Sequence, residues 1–312
     1  MLLAAWCLLA LSASPAAVTH QAAPQHETRV QENFDFDWRF SRGDIGGAEA
    51  PGFADGSWRS LDLPHDWSIE GSYDQENPGF AVSAWLPTGI GWYRKSFDVT
   101  PEMLQKDVTI LFDGVFMDST TWINGTKLGT EPYGYMSFHY DLSKYLHPGR
   151  NTIAVRVNNL LQPAARWYTG SGIYGHVTLL ETPQTHIPLW STFVRTVSAT
   201  GDHADIAVST GVEGGQQTGL SVRFTVIDAA GRSVATQSLP AGRAIPDLEH
   251  PVRISIANAR LWSPDTPALY TLRTQLMHGK ALVDSEDTTF GIRTTAFDPA
   301  RGFLINGQVL KL

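Results

Sequence analysis

From about Val30 onward, apolar and polar residues alternate in short runs separated by Gly, Pro, Asn and Asp. Val108-Thr109-Ile110-Leu111-Phe112 and Ile153-Ala154-Val155-Arg156-Val157 have the period of two expected of half-buried strands. Val222-Arg223-Phe224-Thr225-Val226 and Val252-Arg253-Ile254-Ser255-Ile256 repeat it. Asn124-Gly125 joins Thr121-Trp122-Ile123 to Thr126-Lys127-Leu128, and Asn306-Gly307 joins Phe303-Leu304-Ile305 to Gln308-Val309-Leu310. Both are hairpin signals, because Asn and Gly tolerate the positive φ that a two-residue turn imposes. No stretch has helical period; Pro101 to Gln105 and Leu142 to Leu146 each read as a single turn. The pattern predicts an all-β chain of sandwich type.

By composition a domain seam falls near Thr182–Pro188, where sequence rich in Trp, Tyr and Gly gives way to plainer strands with Gly-rich turns. The expected organisation is a sandwich over 23–183, an immunoglobulin-sized sandwich over 184–295, and a new element over 296–312. An apolar hairpin such as Gly302–Leu312 needs a partner surface to be stable. It either packs back on the second sandwich or belongs to a further domain. Residues 1–22 read as an export leader: Leu2 to Leu11 is an apolar run, too short for a membrane span, followed by small residues, although no Lys or Arg precedes it. An exported location, periplasmic or extracellular, is the expectation.

Composition narrows the function. The 312 residues are 42% hydrophobic and 17% charged, which suits packed domains rather than disorder. A formal net charge of −8 with no basic run argues against nucleic acid, which selects clustered Lys and Arg. No membrane partner is expected. The single cysteine, Cys7, lies in the leader, so the rest has no disulfide and no thiol nucleophile. Ten Trp, nine Tyr and fourteen Phe suit a sandwich core, or a surface on which the apolar face of a sugar stacks.

Several segments together resemble glycoside hydrolase family two, the β-galactosidase and β-glucuronidase group. They are Phe53-Ala54-Asp55-Gly56-Ser57-Trp58 through Leu63-Pro64-His65-Asp66-Trp67; Gly91-Trp92-Tyr93-Arg94; Trp122-Ile123-Asn124-Gly125; Gly134-Tyr135; and Arg166-Trp167-Tyr168-Thr169-Gly170-Ser171-Gly172-Ile173-Tyr174. Leu261-Trp262-Ser263-Pro264, Phe290-Gly291-Ile292-Arg293 and the Gly302–Leu312 hairpin continue the likeness. The resemblance implies a jelly-roll sugar-binding domain, an immunoglobulin-like β-sandwich, and the start of a truncated (β/α)8 barrel. In the family both catalytic glutamates come from that barrel, and the first domain lends residues to the rim of the active site. Gly175 stands where family members usually carry Arg, a departure that can loosen a contact of the first domain.

Retaining glycoside hydrolysis needs two carboxyl groups about 5 Å apart, and the family's acid/base Glu follows an Asn. No Asn-Glu dipeptide occurs here. The acidic residues, including Asp55, Asp74, Glu76 and the Asp284–Asp287 cluster, read as solvated loop carboxylates. No His spacing suits zinc, no Gly-x-Ser-x-Gly elbow is present, and no cofactor is implied. His65-Asp66, between Pro64 and Trp67, reads as a structural turn. The expected catalytic residues in this chain are therefore none. Candidate contacts to a β-galactoside-like carbohydrate are Arg166, Trp167 and Tyr168, set in a Gly-rich loop where binding residues tend to sit. Asn77 and Trp85, in the loop from Tyr73 to Pro87, form a second candidate pair. Three readings follow: the non-catalytic N-terminal portion of a β-galactosidase-like retaining glycosidase, a free-standing carbohydrate-binding sandwich protein, or a diverged scaffold that binds no sugar.

Overall fold

The computed structural model describes residues 28–162, 166–200, 202–215, 218–240 and 244–311. The leader reading over 1–22 lies outside the described residues. The first sandwich contains β1 (Val30–Asn33), β2 (Trp38–Arg42), β3 (Arg59–Leu61), β4 (Gly89–Val99), β5 (Asp107–Phe112), β6 (Ser119–Ile123), β7 (Thr126–Glu131), β8 (Phe138–Asp141), β9 (Gly149–Asn159) and β10 (Val177–Thr182). They form two antiparallel sheets, ordered β1-β10-β5-β8 and β3-β2-β4-β9-β6-β7. The two predicted turns are short 3-10 segments, Met103–Gln105 and Ser143–Tyr145.

The alternation read from the sequence sorts side chains between the sheets. Val108, Ile110 and Phe112 of β5 face Tyr93 of β4 and Ile153, Val155 and Val157 of β9, and all are buried. Removing each such side chain from water contributes about 1.5–3 kcal/mol, which sets the register, since a slip of one residue would expose the set. The six-stranded sheet is also covered on its outer face. Ile90 and Trp92 of β4 and Ala154 of β9 pack there with Ala48, Phe53 and Trp58 from the segment joining β2 to β3. The Trp92 and Trp122 rings stack at 5.2 Å.

The second sandwich contains β11 (Phe193–Ala199), β12 (His203–Ser209), β13 (Leu220–Ile227), β14 (Ser233–Leu239), β15 (Val252–Ala257), β16 (Tyr270–His278) and β17 (Ala281–Phe290). Sheets β11-β12-β15 and β14-β13-β16-β17 enclose Ile206, Val208, Val222, Phe224, Val226, Ile254, Leu272 and Leu276. This is the seven-strand, immunoglobulin-like arrangement expected. Three strands end the chain: β18 (Thr295–Asp298), β19 (Gly302–Ile305) and β20 (Gln308–Val309). The hairpin is thus part of a small meander. Asn306 ties it back by donating its amide to the Trp262 carbonyl at 2.9 Å and accepting from the Thr294 N–H at 3.0 Å.

Both Asn-Gly turns adopt the positive φ that was predicted, 49° and 79° at Asn124-Gly125 and 50° and 77° at Asn306-Gly307. The Asn124 amide donates to Asn151 Oδ1 at 2.7 Å and to the Tyr145 carbonyl at 3.0 Å.

The solvated-loop reading fails for Asp55 and for the Asp284–Asp287 cluster, which lies wholly within β17, with Glu286 largely buried there as well. Asp55 is paired with Arg94, whose Nε lies 2.8 Å from its carboxylate beneath the covering segment. Asp284 lies within β17 and is wholly buried, paired with Arg29 at 2.6 Å. In each case the partner is a cation distant in sequence and invisible to local pattern; Asp284 is removed from water, while Asp55 remains partly exposed.

Candidate functional site

β9 ends at Asn159 in the six-stranded sheet, and the Gly-rich run that carries Arg166, Trp167 and Tyr168 precedes β10 in the four-stranded sheet. The base of this loop is a buried polar knot. Ser68, Asn159 and Ser171 are all nearly inaccessible to water. Asn159 donates to Ser171 Oγ at 2.8 Å and to the Gly170 carbonyl at 3.0 Å. Ser68 Oγ lies 2.7 Å from Ser171 Oγ and 2.6 Å from the Pro87 carbonyl, which links the loop to the segment before β4. Buried polar groups are tolerable only when paired in this way, and a fully paired set holds its neighbours in one geometry.

Asp66 completes the knot. Its Oδ1 accepts from the Ser68 N–H at 2.9 Å and the Ser171 N–H at 2.8 Å, while Oδ2 accepts from the Tyr168 hydroxyl. Gly170 permits this approach: its φ is +75°, and a β carbon there would lie 2.8 Å from Asp66 Oδ2. Burial, reinforced by the hydrogen bond to Asp66 and by its charge, drives the Tyr168 phenol far above its ordinary pKa. Tyr168 is therefore a permanent donor, anchored by its tip with its ring at the surface. Trp167 is 62% exposed and donates its indole N–H to the Tyr135 hydroxyl at 3.1 Å. Arg166 is exposed, and its side chain has no hydrogen-bond partner among the described residues.

Asn77 and Trp85 lie in the neighbouring loop, which Ser68 joins to this constellation through the Pro87 carbonyl. The Asn77 amide donates to the Trp85 carbonyl at 2.8 Å and stitches its own loop together. Trp85 is 38% exposed at a φ of 51°. In sequence Asp66 carries no site signal, because its neighbours Pro64 and Trp67 suggest only a turn. Its partners Tyr168 and Ser171 are about a hundred residues away in sequence.

His65 belongs to the frame. Arg59 can only donate, so its Nη2, 2.8 Å from His65 Nε2, requires that nitrogen to be an acceptor; the proton is on Nδ1, which donates to the Tyr93 hydroxyl at 2.7 Å. Glu70, 3.3 Å from the same Nε2, is better satisfied by Arg59 at 2.7 Å. Burial pulls the His65 pKa below its ordinary 6.5, against the attraction of Glu70. A histidine held neutral in the fold is protonated first in the unfolded chain. Its contribution to stability is therefore present above pH 6.5 and is lost as pH falls through the lower folded value. Exposed His176, raised by its bond to Asp35, works in the opposite direction. Wild type is expected to lose more stability than His65→Gln as pH is lowered from 7.5 to 5.5, read as the difference between their urea midpoints. Equal acid losses would show that His65 carries no such linkage.

Among the described residues no group of three or more His, Cys, Asp or Glu gathers to hold a metal. A cavity of about 500 Å³ opens on the second sandwich beside Ala268, Leu269 and Tyr270. Its Arg232 is already engaged by Asp228 at 2.7 Å.

Two antiparallel sandwiches in series, the first presenting an anchored aromatic loop, define the architectural class. The family model described as the sugar binding domain of glycosyl hydrolases family 2 matches residues 35–183, and the one described as glycosyl hydrolases family 2 matches 185–293. The chain belongs to glycosyl hydrolase family 2. A beta-galactosidase of Bacteroides ovatus is 43% identical over 91% of this chain and 34% of its own length. A beta-glucuronidase of Formosa agariphila is 28% identical over 91% of this chain and 32% of its own. The crystal structure of a beta-glycosidase from Bacteroides vulgatus superposes with a TM-score of 0.83 at 39% identity, over 90% of this chain and 36% of that one. The chain spans about a third of the length of these relatives.

At Gly175, where the family usually has Arg, the N–H donates to the Gly114 carbonyl at 3.0 Å. A β carbon there would lie 2.8 Å from the Asp113 carbonyl carbon, so the departure goes with a close backbone crossing.

Proposed function

We propose that this chain is the non-catalytic, sugar-recognising portion of a β-galactosidase-like retaining glycosidase, acting outside the cytoplasm. In the whole enzyme, on this reading, two carboxylates from a barrel domain hydrolyse a terminal β-galactoside. The loop of Arg166, Trp167 and Tyr168 meets the substrate at the rim. The observation that supports it best is Trp167: a largely exposed indole on a loop that Asp66, Ser68, Asn159 and Ser171 hold rigid. Rigid display of an apolar ring beside hydroxyl and guanidinium donors suits a pyranose, which has an apolar face and a polar edge. The beta-galactosidase activity of the Bacteroides ovatus relative supports the galactoside reading, and the family's sugar-binding description supports carbohydrate recognition. The apolar run from Leu2 to Leu11 supports export.

The purified chain is expected to show no turnover of 4-nitrophenyl β-D-galactopyranoside, while binding methyl β-galactoside in a titration followed by NMR. Trp167→Ala is expected to weaken that binding about tenfold, roughly 1.4 kcal/mol, with an unchanged melting temperature because the ring is exposed. Turnover by the chain would overturn the non-catalytic assignment. Undiminished binding by the variant would remove Trp167 from the site.

A further inference from the structure

The turn between β7 and β8 displays a second group of exposed aromatic residues next to Trp167. Tyr133 is 55% exposed and Tyr135 is 44% exposed. This segment is pinned from several sides. The Tyr174 hydroxyl donates to the Gly134 carbonyl at 2.6 Å. Gly134 lies so close to the buried Phe116 ring that a β carbon would meet Cε2 and Cγ at 2.9 Å. Ser137 Oγ donates to the Asp113 carbonyl at 3.2 Å, and Glu131 accepts the Tyr133 N–H at 3.2 Å. The Tyr135 ring rests on Phe116, centroid to centroid 5.2 Å.

These rings continue the candidate site. The Trp167 indole donates to the Tyr135 hydroxyl at 3.1 Å, and the Tyr133 and Tyr135 centroids are 5.7 Å apart. Trp167, Tyr135 and Tyr133 therefore form a series of exposed rings, each in contact with the next. We propose that Tyr135 and Tyr133 extend the Trp167 surface into a second sugar subsite, so that this face takes a β-linked oligosaccharide rather than a single glycoside. This rests on the reading of the Arg166–Tyr168 loop as sugar-binding.

The chemistry of the series favours a sugar chain over a protein partner. Every ring carries a polar group at its rim, two phenol hydroxyls and an indole N–H, next to an apolar face. That combination matches successive pyranose rings, each with an apolar face and hydroxyl edges. Tyr and Trp also serve at protein interfaces, but there they sit in a compact desolvated core inside a polar rim, whereas these rings follow one another in a series. Pinning supplies the rest: a turn whose backbone is already fixed loses little entropy on binding, so its rings contribute more to affinity.

The test titrates the full chain with methyl β-D-galactopyranoside and with β-1,4-linked galactotetraose, followed by NMR, in wild type, Tyr133→Ala and Trp167→Ala. Wild type is expected to bind the tetrasaccharide about tenfold more tightly than the methyl glycoside. Tyr133→Ala is expected to remove that difference while leaving methyl glycoside binding unchanged. Trp167→Ala is expected to weaken both. Equal affinities for the two ligands in wild type, or a tetrasaccharide preference that survives Tyr133→Ala, would overturn the second subsite and leave the Trp167 reading standing. Binding of neither ligand by wild type would overturn both.

Discussion

Arg94→Met is expected to destabilise the first sandwich by about 2–5 kcal/mol, the cost of leaving one or two buried carbonyls without their donor. Arg94 is 1% exposed and lies on the outer face of β4. Its guanidinium donates to the carbonyls of Ala48, Ala50 and Pro51 and pairs with Asp55 at 2.8 Å. Those acceptors belong to the segment that covers Trp92 and Ala154, so one side chain holds the cover over the sheet. Methionine fills much of the volume but leaves the carbonyls without a donor, at about 1–3 kcal/mol for each that stays buried. Asp55 contributes little to the loss, because a partly exposed carboxylate can rehydrate. Arg94→Lys, which keeps the charge and loses the planar fork, is expected to fall between wild type and Arg94→Met. Urea unfolding followed by tryptophan fluorescence reads the size. If Arg94→Met fails to accumulate as folded protein, faster proteolysis of Arg94→Lys between Arg42 and Arg59 gives the same information. An Arg94→Met loss below about 1 kcal/mol, the scale of an ordinary surface change, would show that the guanidinium does not hold the cover.

The contrast between Arg94 and the strands around it shows what sequence pattern carries. Val108, Ile110 and Phe112 identify their strand because its period of two is written in consecutive residues. Asn124-Gly125 and Asn306-Gly307 identify their turns because the constraint on φ is local. The cover over the outer face has neither signal: Ile45, Ala48, Phe53 and Trp58 recur with no strand or helix period, and their partner surface is made elsewhere. Asp55 resembles a solvated turn residue when read in place, and becomes an ion-pair partner only once β4 brings Arg94 beneath it. The site divides in the same way. Trp167 and Tyr168 stand out within a Gly-rich motif, whereas Asp66 acquires its role from groups 102 and 105 residues further along the chain. Tyr133 carries no signal at all until Tyr174 and Phe116 are seen to hold its turn rigid. Pairings over such distances are products of the fold, and no local reading contains them.

Asp284→Ala is expected to cost the second sandwich about 3–5 kcal/mol, because it strands a buried cation. Asp284 is fully buried in β17, and Arg29, just before β1, has a side chain only 7% exposed. The carboxylate accepts from Arg29 Nη2 at 2.6 Å and from the N–H of Ile187, in the link between the sandwiches, at 2.8 Å. Arg29 in turn donates to the Ile187 carbonyl at 2.6 Å. The group joins the start of the first sandwich, the link and an edge strand of the second. Glu286, 4.0 Å from Arg29, is too far to replace Asp284 as a hydrogen-bonded partner. The double variant Arg29→Met/Asp284→Leu separates charge from hydrogen bonding. Removing both charges is expected to recover part of the loss, while the Ile187 N–H remains without its acceptor and keeps a deficit of about 1–3 kcal/mol. A double variant as unstable as Asp284→Ala would mean that the stranded charge is not the source of the cost. A fully restored one would mean that Ile187 finds another acceptor. Because the group spans both sandwiches, Asp284→Ala is also expected to turn one urea transition into two, the second sandwich unfolding first. A single transition displaced as a whole would show that the link does not depend on this pair.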